Sequence, residues 1–346
     1  MKYRLLGRTG VLVSEICLGA MTFGGAEGPL YRMLGSLGQD QVDRIVGTAL
    51  DAGVNFVDTA DVYSAGESEI MLGQALKGRR DEVVLATKLA ARVGPGVNEI
   101  GLSRLHTARA LEDSLRRLGT DHIDLYQLHN VDPLTPIEET LGALNDAVRQ
   151  GKIRYIGCSN LAAWQVVKAL GVSALRDLAG FASVQAYYSL VGRDLEHELL
   201  PMIEEYELGL MVWAPLAGGF LSGKFDRAGA SDPASRHAQQ GYPDFPPIDR
   251  THAYDVIDVL KTVAARHEVS VARVALAWVL ARPAVTTVIV GVRRPEQLAD
   301  NLAAADLSLT EEDLARLDEV SRIPAPYPAW VQRNSILGRA APQPVR

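Results

Sequence analysis

Cysteine is scarce in this 346-residue sequence, and long apolar runs are missing. The two cysteines, Cys17 and Cys158, lie in apolar surroundings, which is typical of reduced thiols in a core and argues against a disulfide framework. No apolar run reaches the roughly 18 residues that a membrane span needs. The opening stretch MKYRLLGRTG has no long apolar segment after its positive charges, so a secretory signal is not expected. These absences predict a cytoplasmic protein.

Blocks of positive charge are also missing. The net charge is −7, and charged residues of both signs, 22% of the chain, are spread along it. A nucleic-acid partner would require a basic stripe, and a membrane surface would require a Lys/Arg cluster. With 47% hydrophobic residues, the composition is that of an ordinary globular protein with a large core. We therefore expect a small-molecule partner, with no nucleic acid and no membrane, while the composition leaves the oligomeric state open.

Several motifs of well-known sites are absent. The seven histidines never form HExxH, and no Cys/His spacing suits zinc, so no metal site is expected. There is no G-x-S-x-G, which argues against the nucleophile elbow of a hydrolase. There is no G-x-G-x-x-G either, so a cofactor site of the Rossmann type is not expected.

The sequence does contain an alternation of short apolar strands and amphipathic helices. After a hairpin-like opening at 3–14, helical stretches with apolar residues at i, i+3, i+4 and i+7 separate the strands. Near-continuous apolar strands are typical of a parallel sheet that is covered on both faces. The eight strands are expected at ICLGAM, NFVDTA, VVLATK, IDLYQLH, RYIGCSN, ASVQAYY, GLMVWAP and TVIVG.

This count predicts an α/β fold, a (β/α)8 TIM barrel with an N-terminal β-hairpin. We expect one domain, 1–346, with a Pro-rich C-terminal tail at 322–346 whose first part packs across the barrel. The segment 223–250, after the seventh strand, is rich in Gly, Pro, Ser and Asp. A long irregular loop is expected there, either as a functional lid or as a disordered insert.

Four polar residues lie at the ends of predicted strands. Asp58 ends the second strand and Tyr63 follows it, Lys88 ends the third strand, and His129 ends the fourth. Taken singly, Asp58 fits a helix cap or an ion pair, and His129 fits a satisfied core histidine, whereas a buried lysine is costly without a carboxylate partner. Because the C-terminal ends of barrel strands face one mouth, the four together indicate an active site. The neighbouring Asp61 is expected to cap or organise the turn.

This combination suits the reduction of a carbonyl group. A tyrosine can donate a proton when a nearby ammonium lowers its pKa from about 10. Lys88 can supply that ammonium, Asp58 can keep it charged, and His129 can hydrogen-bond the carbonyl oxygen. Such a site polarises C=O and protonates the alkoxide, but it supplies no hydride, so the chemistry requires a cofactor.

The segments NFVDTADVY, VVLATK, DLYQLH, GCSN and VQAYYSL closely resemble the aldo-keto reductases, in family order and at family spacings. The resemblance extends from about residue 3 to about residue 330. It is greatest to bacterial branches related to potassium-channel β-subunits. It implies a (β/α)8 barrel that binds NADPH without a Rossmann fold, and a catalytic tetrad of Asp58, Tyr63, Lys88 and His129.

The resemblance also implies the cofactor contacts. For the nicotinamide end these are Ser159, Asn160 and Gln185 at the carboxamide, with Trp213 stacked on the ring. PLAGGFLSGKF is similar to the pyrophosphate loop, with contacts at Leu216, Gly218 and Lys224. VGVRRPEQLADN is similar to the adenosine site, with contacts at Gly291, Arg293, Gln297 and Asn301. A Lys-Ser pair and a further arginine of the mammalian branch are absent, so Arg293 is expected to carry most of the recognition of the 2′-phosphate.

The leading hypothesis is an NADPH-dependent reductase of an aldehyde or ketone that can run in reverse as an alcohol dehydrogenase. A regulatory module that binds cofactor and turns over slowly, like the channel β-subunits, is the alternative. A third hypothesis is a Schiff-base lyase built on Lys88. The substrate pocket is expected to be lined by largely apolar or aromatic residues, namely 21–23, Tyr31, Ala90, Ala91, Asn130 and Trp330.

Overall fold

The computed structural model describes residues 1–25, 37–233, 235–239, 241 and 245–336. The chain begins with an antiparallel hairpin of β1 (Tyr3–Leu5) and β2 (Leu12–Ser14). Gly7, in the turn of this hairpin, has a φ of +58°, and a Cβ there would lie 2.4 Å from the carbonyl oxygen of Ala182. Both the left-handed backbone and the lack of space for a side chain therefore require glycine. The turn places Leu6 in the barrel interior, where it packs with residues of the barrel strands. The predicted hairpin is confirmed, and it plugs the N-terminal end of the barrel.

Eight parallel strands close into a barrel, so the predicted (β/α)8 fold is confirmed. Seven of them are β3 (Ile16–Gly19), β4 (Phe56–Asp58), β5 (Val84–Leu89), β6 (Ile123–Leu128), β7 (Ile153–Ser159), β8 (Phe181–Tyr187) and β9 (Gly209–Trp213). A two-residue hairpin, β10 (Phe225–Asp226) and β11 (Gly229–Ala230), follows outside the barrel. The last barrel strand, β12 (Val285–Val290), pairs with both β9 and β3 and closes the ring.

Helices surround the barrel. They are α1 (Gln39–Asp51), α2 (Glu67–Ala75), α3 (Arg104–Leu118), α4 (Ile137–Arg149), α5 (Ala163–Arg176), α6 (Leu199–Glu205), α7 (Arg250–Arg266), α8 (Val271–Leu280), α9 (Pro295–Leu302), α10 (Glu311–Val320) and α11 (Ala329–Ile336). In the described part of the chain, none is both long and apolar enough to cross a bilayer.

The helix α3 shows how the sequence sets such an element. The Ser103 side chain accepts a hydrogen bond from the His106 amide, which caps the first turn. Gly119 ends the helix in the left-handed conformation with a φ of +63°. Between these ends, Ala110, Leu111 and Leu118 lie on the buried face and join the core between helices and barrel. Local capping and the apolar period together fix this helix.

Side-chain alternation along the strands separates two cores. Inward residues such as Phe56, Ala86 and Leu125 fill the barrel, and the thiol of Cys17 lies among them. Outward residues such as Tyr126 pack with the helices. Successive residues of a strand face opposite sides, so the inward set continues upward from these positions to the mouth of the barrel.

The long segment after β9 is less irregular than its composition predicts. It contains the β10–β11 hairpin and a short 3₁₀ helix at Arg236–Ala238, and α7 begins at its end. Some of its residues, 234, 240 and 242–244, lie outside the described part. In the tail, α11 follows a stretch at 321–328, whereas the final residues from 337 onward lie outside the described part.

Candidate active site

Lys88 is the centre of the polar set at the barrel mouth. Its side chain is fully buried, and its ammonium donates to Asp58 Oδ2 at 2.5 Å, to the Thr59 carbonyl at 2.7 Å and to the Tyr63 hydroxyl at 3.3 Å. An ammonium has three donors, so this one is fully satisfied. Because a buried amine is costly unless it is paired, the Asp58 carboxylate is what allows Lys88 to remain charged there.

Asp58 is held from its other side by two glutamines. Gln127 on β6 and Gln185 on β8 donate their amide groups to Asp58 Oδ1 at 3.0 and 2.9 Å. The strand register explains the first contact, because Lys88 on β5 lies opposite Gln127. The Asp58 carboxylate therefore accepts three side-chain bonds and has a fixed orientation. Sequence reasoning missed Gln127, which is polar in an inward position of an apolar strand.

Tyr63 lies at the start of an unusual turn. The 3₁₀ turn Tyr63–Gly66 contains Ser64 and Ala65 with φ values of 50° and 55°, and Gly66 has a φ of 92°. Left-handed backbone is unfavourable for non-glycine residues, so the surroundings must stabilise it. The Ser64 hydroxyl donates to the Phe23 carbonyl at 3.0 Å, which ties this turn to the loop after β3.

His129 completes the set. Its ring lies edge-on to the Tyr63 ring, with 5.7 Å between centroids. Its backbone amide donates to the Leu89 carbonyl, and its carbonyl accepts from the Asn160 side chain at 2.9 Å. Its Nδ1 is buried with no hydrogen-bond partner among the described residues. Burial, aided by the charge of Lys88, lowers the pKa of His129 to about 3. The imidazole is therefore neutral at any working pH, and it can orient an oxygen but cannot serve as a cationic acid.

The electrostatics of the other groups follow from burial and pairing. Burial alone would lower the pKa of Lys88, but the charge of Asp58 reverses this and the net shift is upward. Burial raises the pKa of the Tyr63 phenol, and Lys88 offsets only part of that rise. The expectation of a net lowered tyrosine pKa is therefore wrong for the protein as it stands. Lys88 does lower the pKa of the phenol, as predicted, but burial raises that pKa by more than Lys88 lowers it.

The structure brings the four residues predicted at the nicotinamide end to neighbouring strands. Ser159 ends β7, Gln185 lies on β8 opposite it in register, and Trp213 ends β9. Asn160 has a φ of +61°, and its side chain donates to Ser159 Oγ at 3.0 Å. Gln185 also holds Asp58, so one residue links this group to the tetrad.

Trp213 lies in an aromatic group that sequence reasoning did not foresee. The Phe245 ring is stacked on it with 5.5 Å between centroids and 11° between planes, and the Tyr187 ring lies 5.1 Å away at 33°. Its indole Nε1 is buried with no hydrogen-bond partner in the part of the chain that the structure describes. Phe245 belongs to the segment before α7, so that segment reaches the mouth of the barrel.

The three residues predicted at the pyrophosphate lie just after β9. Leu216 precedes a 3₁₀ turn, and Gly218 within it has a φ of +65°. A Cβ on Gly218 would lie 2.7 Å from His237 Nε2, so glycine permits the close approach of the following loop. The Lys224 ammonium pairs with Asp232 at 2.9 Å. A tight backbone turn and, a few residues later, a paired cation therefore follow β9.

The four residues predicted at the adenosine end follow β12. Gly291 comes directly after the strand, and the Arg293 amide donates to Gln297 Oε1 at 2.9 Å. Gln297 and Asn301 are one turn apart on α9, on the same face of the helix. The four residues thus follow one strand in the loop and on the helix after it, and that strand neighbours the strand that carries Trp213.

The mouth therefore has two contiguous arcs. The tetrad occupies β4, β5 and β6, and the predicted cofactor positions occupy β7, β8, β9 and β12. Of the expected pocket residues, Tyr31 lies outside the described part, and Trp330 on α11 is 53% exposed beside Tyr327. In the described ranges, no three His, Cys, Asp or Glu side chains are placed to hold a metal ion.

A closed parallel barrel whose mouth holds a buried acid–lysine–tyrosine chain is the architecture of a (β/α)8-barrel enzyme. The sequence profile of the Aldo/keto reductase family matches residues 15–322. The chain belongs to that family and is an oxidoreductase.

Relatives cover nearly the whole chain. An uncharacterized oxidoreductase, YrpG, of Bacillus subtilis (strain 168) is 40% identical over 331 residues, which are 92% of this chain and 96% of that protein. A rice protein (Oryza sativa subsp. japonica) named "Probable voltage-gated potassium channel subunit beta" is 37% identical with the same coverage. Versiconal hemiacetal acetate reductase of Aspergillus parasiticus is 33% identical over 341 residues, covering 92% and 96%. The resemblance to the branch that includes channel β-subunits is thus confirmed.

Proposed function

We propose that this protein catalyses the NADPH-dependent reduction of an aldehyde or ketone to an alcohol, with Tyr63 as the proton donor. The observation that supports this most directly is the arrangement of the Lys88 ammonium, which is bonded to both the Asp58 carboxylate and the Tyr63 phenol in a buried site. Because the His129 imidazole beside the phenol stays neutral, we assign the role of general acid to the phenol and not to the imidazole.

The proton moves from the Tyr63 hydroxyl to the oxygen of the reduced carbonyl. The negative charge that the phenol oxygen acquires develops 3.3 Å from the Lys88 ammonium, which stabilises it. Asp58 keeps that ammonium charged and fixed. The neutral His129, edge-on to Tyr63, would donate a hydrogen bond to the same carbonyl oxygen and so align it with the phenol. In the reverse direction the phenolate accepts the proton of an alcohol.

NADPH, when bound, supplies the hydride. The residues of the second arc suit this group. The cations Lys224 and Arg293 would recognise phosphates, and the Trp213 indole at the end of β9 would contact the nicotinamide ring with the part of its surface that Phe245 does not cover. Ser159, Asn160 and Gln185 would hold the carboxamide. Leu216 and Gly218 would contact the pyrophosphate, and Gly291, Gln297 and Asn301 the adenosine. We further propose that the partner is a small carbonyl compound and that the protein acts in the cytoplasm.

A regulatory module with slow turnover is the second candidate. It is favoured by the relatives in rice and Arabidopsis thaliana named as probable potassium channel β-subunits, which are 37% and 36% identical. The two candidates differ in the rate at which bound cofactor is exchanged. A single turnover that is fast, followed by steady-state cycling that is slower by orders of magnitude, would favour the regulatory role.

The test of the proposed function is a panel of aliphatic, aromatic and sugar-derived carbonyl compounds, followed by the loss of NADPH absorbance. Tyr63→Phe is the matched control, because it removes one oxygen and keeps the ring against His129. We expect this variant to bind NADPH normally and to lose about 10²–10⁴-fold in turnover, the usual contribution of a general acid. Wild-type turnover in Tyr63→Phe, with chemistry shown to limit the rate, would refute the assignment.

A further inference from the structure

Asp61 is a buried carboxylic group that the proposed chemistry does not use. It lies between Asp58 and Tyr63 in the chain, and its backbone amide donates to the Lys88 carbonyl at 3.1 Å. The residue is only 2% exposed, and no side chain of the described residues hydrogen-bonds either of its carboxyl oxygens. The Val62 amide is the hydrogen-bonding group beside it. A turn-capping aspartate at a surface would not need such burial.

The cations near Asp61 are already committed to other carboxylates. Glu69 on α2 is fully buried, and its two oxygens accept from the Thr87 hydroxyl at 2.5 Å and from Arg117 Nε at 2.6 Å. The Arg117 side chain, from α3, also packs against Gly66, at the end of the turn that carries Tyr63. Glu69 and Arg117 thus form a second ion pair directly behind the catalytic turn, with a buried carboxylate and a partly exposed guanidinium.

The charges around Asp61 therefore do not balance if it ionises. Asp58 and Lys88 form one pair from β4 and β5, and Glu69 and Arg117 form the other from α2 and α3. Among the described residues, two phenols also face Asp61: Tyr63, and the buried Tyr126 on β6, whose hydroxyl has no hydrogen-bond partner there. Two cations, Lys88 and Arg117, are thus shared among three carboxylates. Asp61 is the carboxylate that has no cation of its own in the described part of the chain, so ionisation is least favourable there.

The pKa of Asp61 shifts in the direction that this charge balance predicts. Burial, and then the charge of Glu69, raise the pKa of Asp61 to about 8, although Arg117, the Val62 amide and Lys88 oppose the rise. The charge of Asp61 in turn raises the pKa of the Tyr63 phenol. A neutral Asp61 leaves the phenol under the influence of Lys88, whereas an ionised Asp61 weakens that influence.

We propose that Asp61 is a positioning residue behind the tetrad, a carboxylic acid that is neutral at neutral pH and whose ionisation at alkaline pH sets a third negative charge against the phenolate form of Tyr63. The inference rests on the proposed role of Tyr63. Reduction uses the protonated phenol, and alcohol oxidation uses the phenolate as its base. Loss of the Asp61 proton therefore disfavours the base form and holds back oxidation at alkaline pH.

The experiment is the pH profile of kcat for alcohol oxidation in the wild type and in Asp61→Asn, which is nearly isosteric and never charged. We expect the ascending limb of Asp61→Asn to lie at lower pH by on the order of one unit, the size expected for a unit charge several ångströms away at an effective dielectric of about 20. A residue that only shaped the turn would lower kcat equally at every pH, and an unshifted limb would overturn the inference.

A second readout is independent of turnover. Infrared difference spectra between pH 6 and pH 9 should show the C=O stretch of a protonated carboxyl that disappears as pH rises through about 8. The band should be missing in Asp61→Asn and present in Asp132→Asn. Its absence from the wild type would refute a neutral Asp61. If Tyr63→Phe kept full activity, the proposed function would fail; if Tyr63→Phe were inactive but Asp61→Asn were unshifted, only the role of Asp61 would fail.

Discussion

The Lys88 ammonium is 3.3 Å from the Tyr63 hydroxyl but only 2.5 Å from the Asp58 carboxylate. The lysine is thus held firmly by the acid and more loosely by the phenol. Such an arrangement suits a phenol that gives up and regains a proton, because the ammonium can draw closer as negative charge develops. Substitution of Asp58 and substitution of Tyr63 should therefore affect carbonyl reduction to different extents.

Lys88→Met should damage carbonyl reduction as severely as Tyr63→Phe, and Asp58→Asn should damage it less, because the aspartate acts on Tyr63 only through the lysine. Both changes break a buried ion pair, which typically costs about 3–5 kcal/mol of stability, so folding must be checked by circular dichroism and urea titration. Where activity remains, the pH profile of alcohol oxidation should shift upward. A Lys88→Met enzyme with an unchanged profile would exclude Lys88 from the mechanism.

Gln127→Leu and Gln185→Leu form a matched pair, because both glutamines donate to the same oxygen of Asp58. Each variant should lose part of kcat, since a hydrogen bond to a charged group contributes about 1.5–3 kcal/mol. Only Gln185→Leu should also weaken NADPH, by about tenfold, if it holds the carboxamide. The dissociation constants can be measured by quenching of tryptophan fluorescence. Equal affinities in the two variants would confine Gln185 to supporting Asp58.

Arg293→Ala should weaken NADPH by roughly ten- to a hundredfold and leave NADH nearly unaffected. The reason is that a charged hydrogen bond to the 2′-phosphate is worth about 1.5–3 kcal/mol, and about 1.4 kcal/mol is a factor of ten. Arg294→Ala is the control, since that side chain is an exposed neighbour at the start of α9. Should Arg293→Ala lose both cofactors equally, the residue is structural and not a reader of phosphate.

Asp61→Asn should raise the stability of the protein increasingly with pH. The folded state keeps the Asp61 proton up to about pH 8, while the unfolded chain releases it near 3.8, so wild-type stability falls across this window by up to about 1.4 kcal/mol per pH unit. Urea unfolding at pH 5 and pH 8 should show a larger gain for Asp61→Asn at pH 8.

Asp132→Asn gives the opposite sign and serves as the control. Slight burial opposes ionisation there, but the bonds that Asp132 accepts from Thr135 and from the Leu102 and Leu134 amides outweigh it and lower its pKa. Its contribution to stability is present above the unfolded pKa and is lost as pH falls, so the variant should lose stability at neutral pH. If Asp61→Asn showed the same gain at both pH values, Asp61 would not change its protonation in this range.

The barrel and the tetrad were accessible from the sequence because both depend on local patterns. Strand ends can be read from apolar runs, and a parallel barrel gathers those ends at one mouth. The contact of Gln127 with Asp58 was not accessible, because it depends on the register between β5 and β6. Phe245 was missed for a similar reason, since its ring reaches Trp213 through the path of a long loop. The sequence-based prediction for the pKa of Tyr63 considered only the charge of Lys88, whereas burial has the larger effect and raises this pKa.

The division of the mouth into two arcs has a stereochemical consequence. A carbonyl compound held between them must turn its oxygen toward Tyr63 and His129 on the β4–β6 side, and its carbon is then presented to the side of β7 to β12. If hydride arrives from that side, only one prochiral face of an unsymmetrical ketone is open to it. The way in which the two substituents fit the mouth then decides the handedness of the alcohol, and the protein should yield a single enantiomer from each ketone that it accepts.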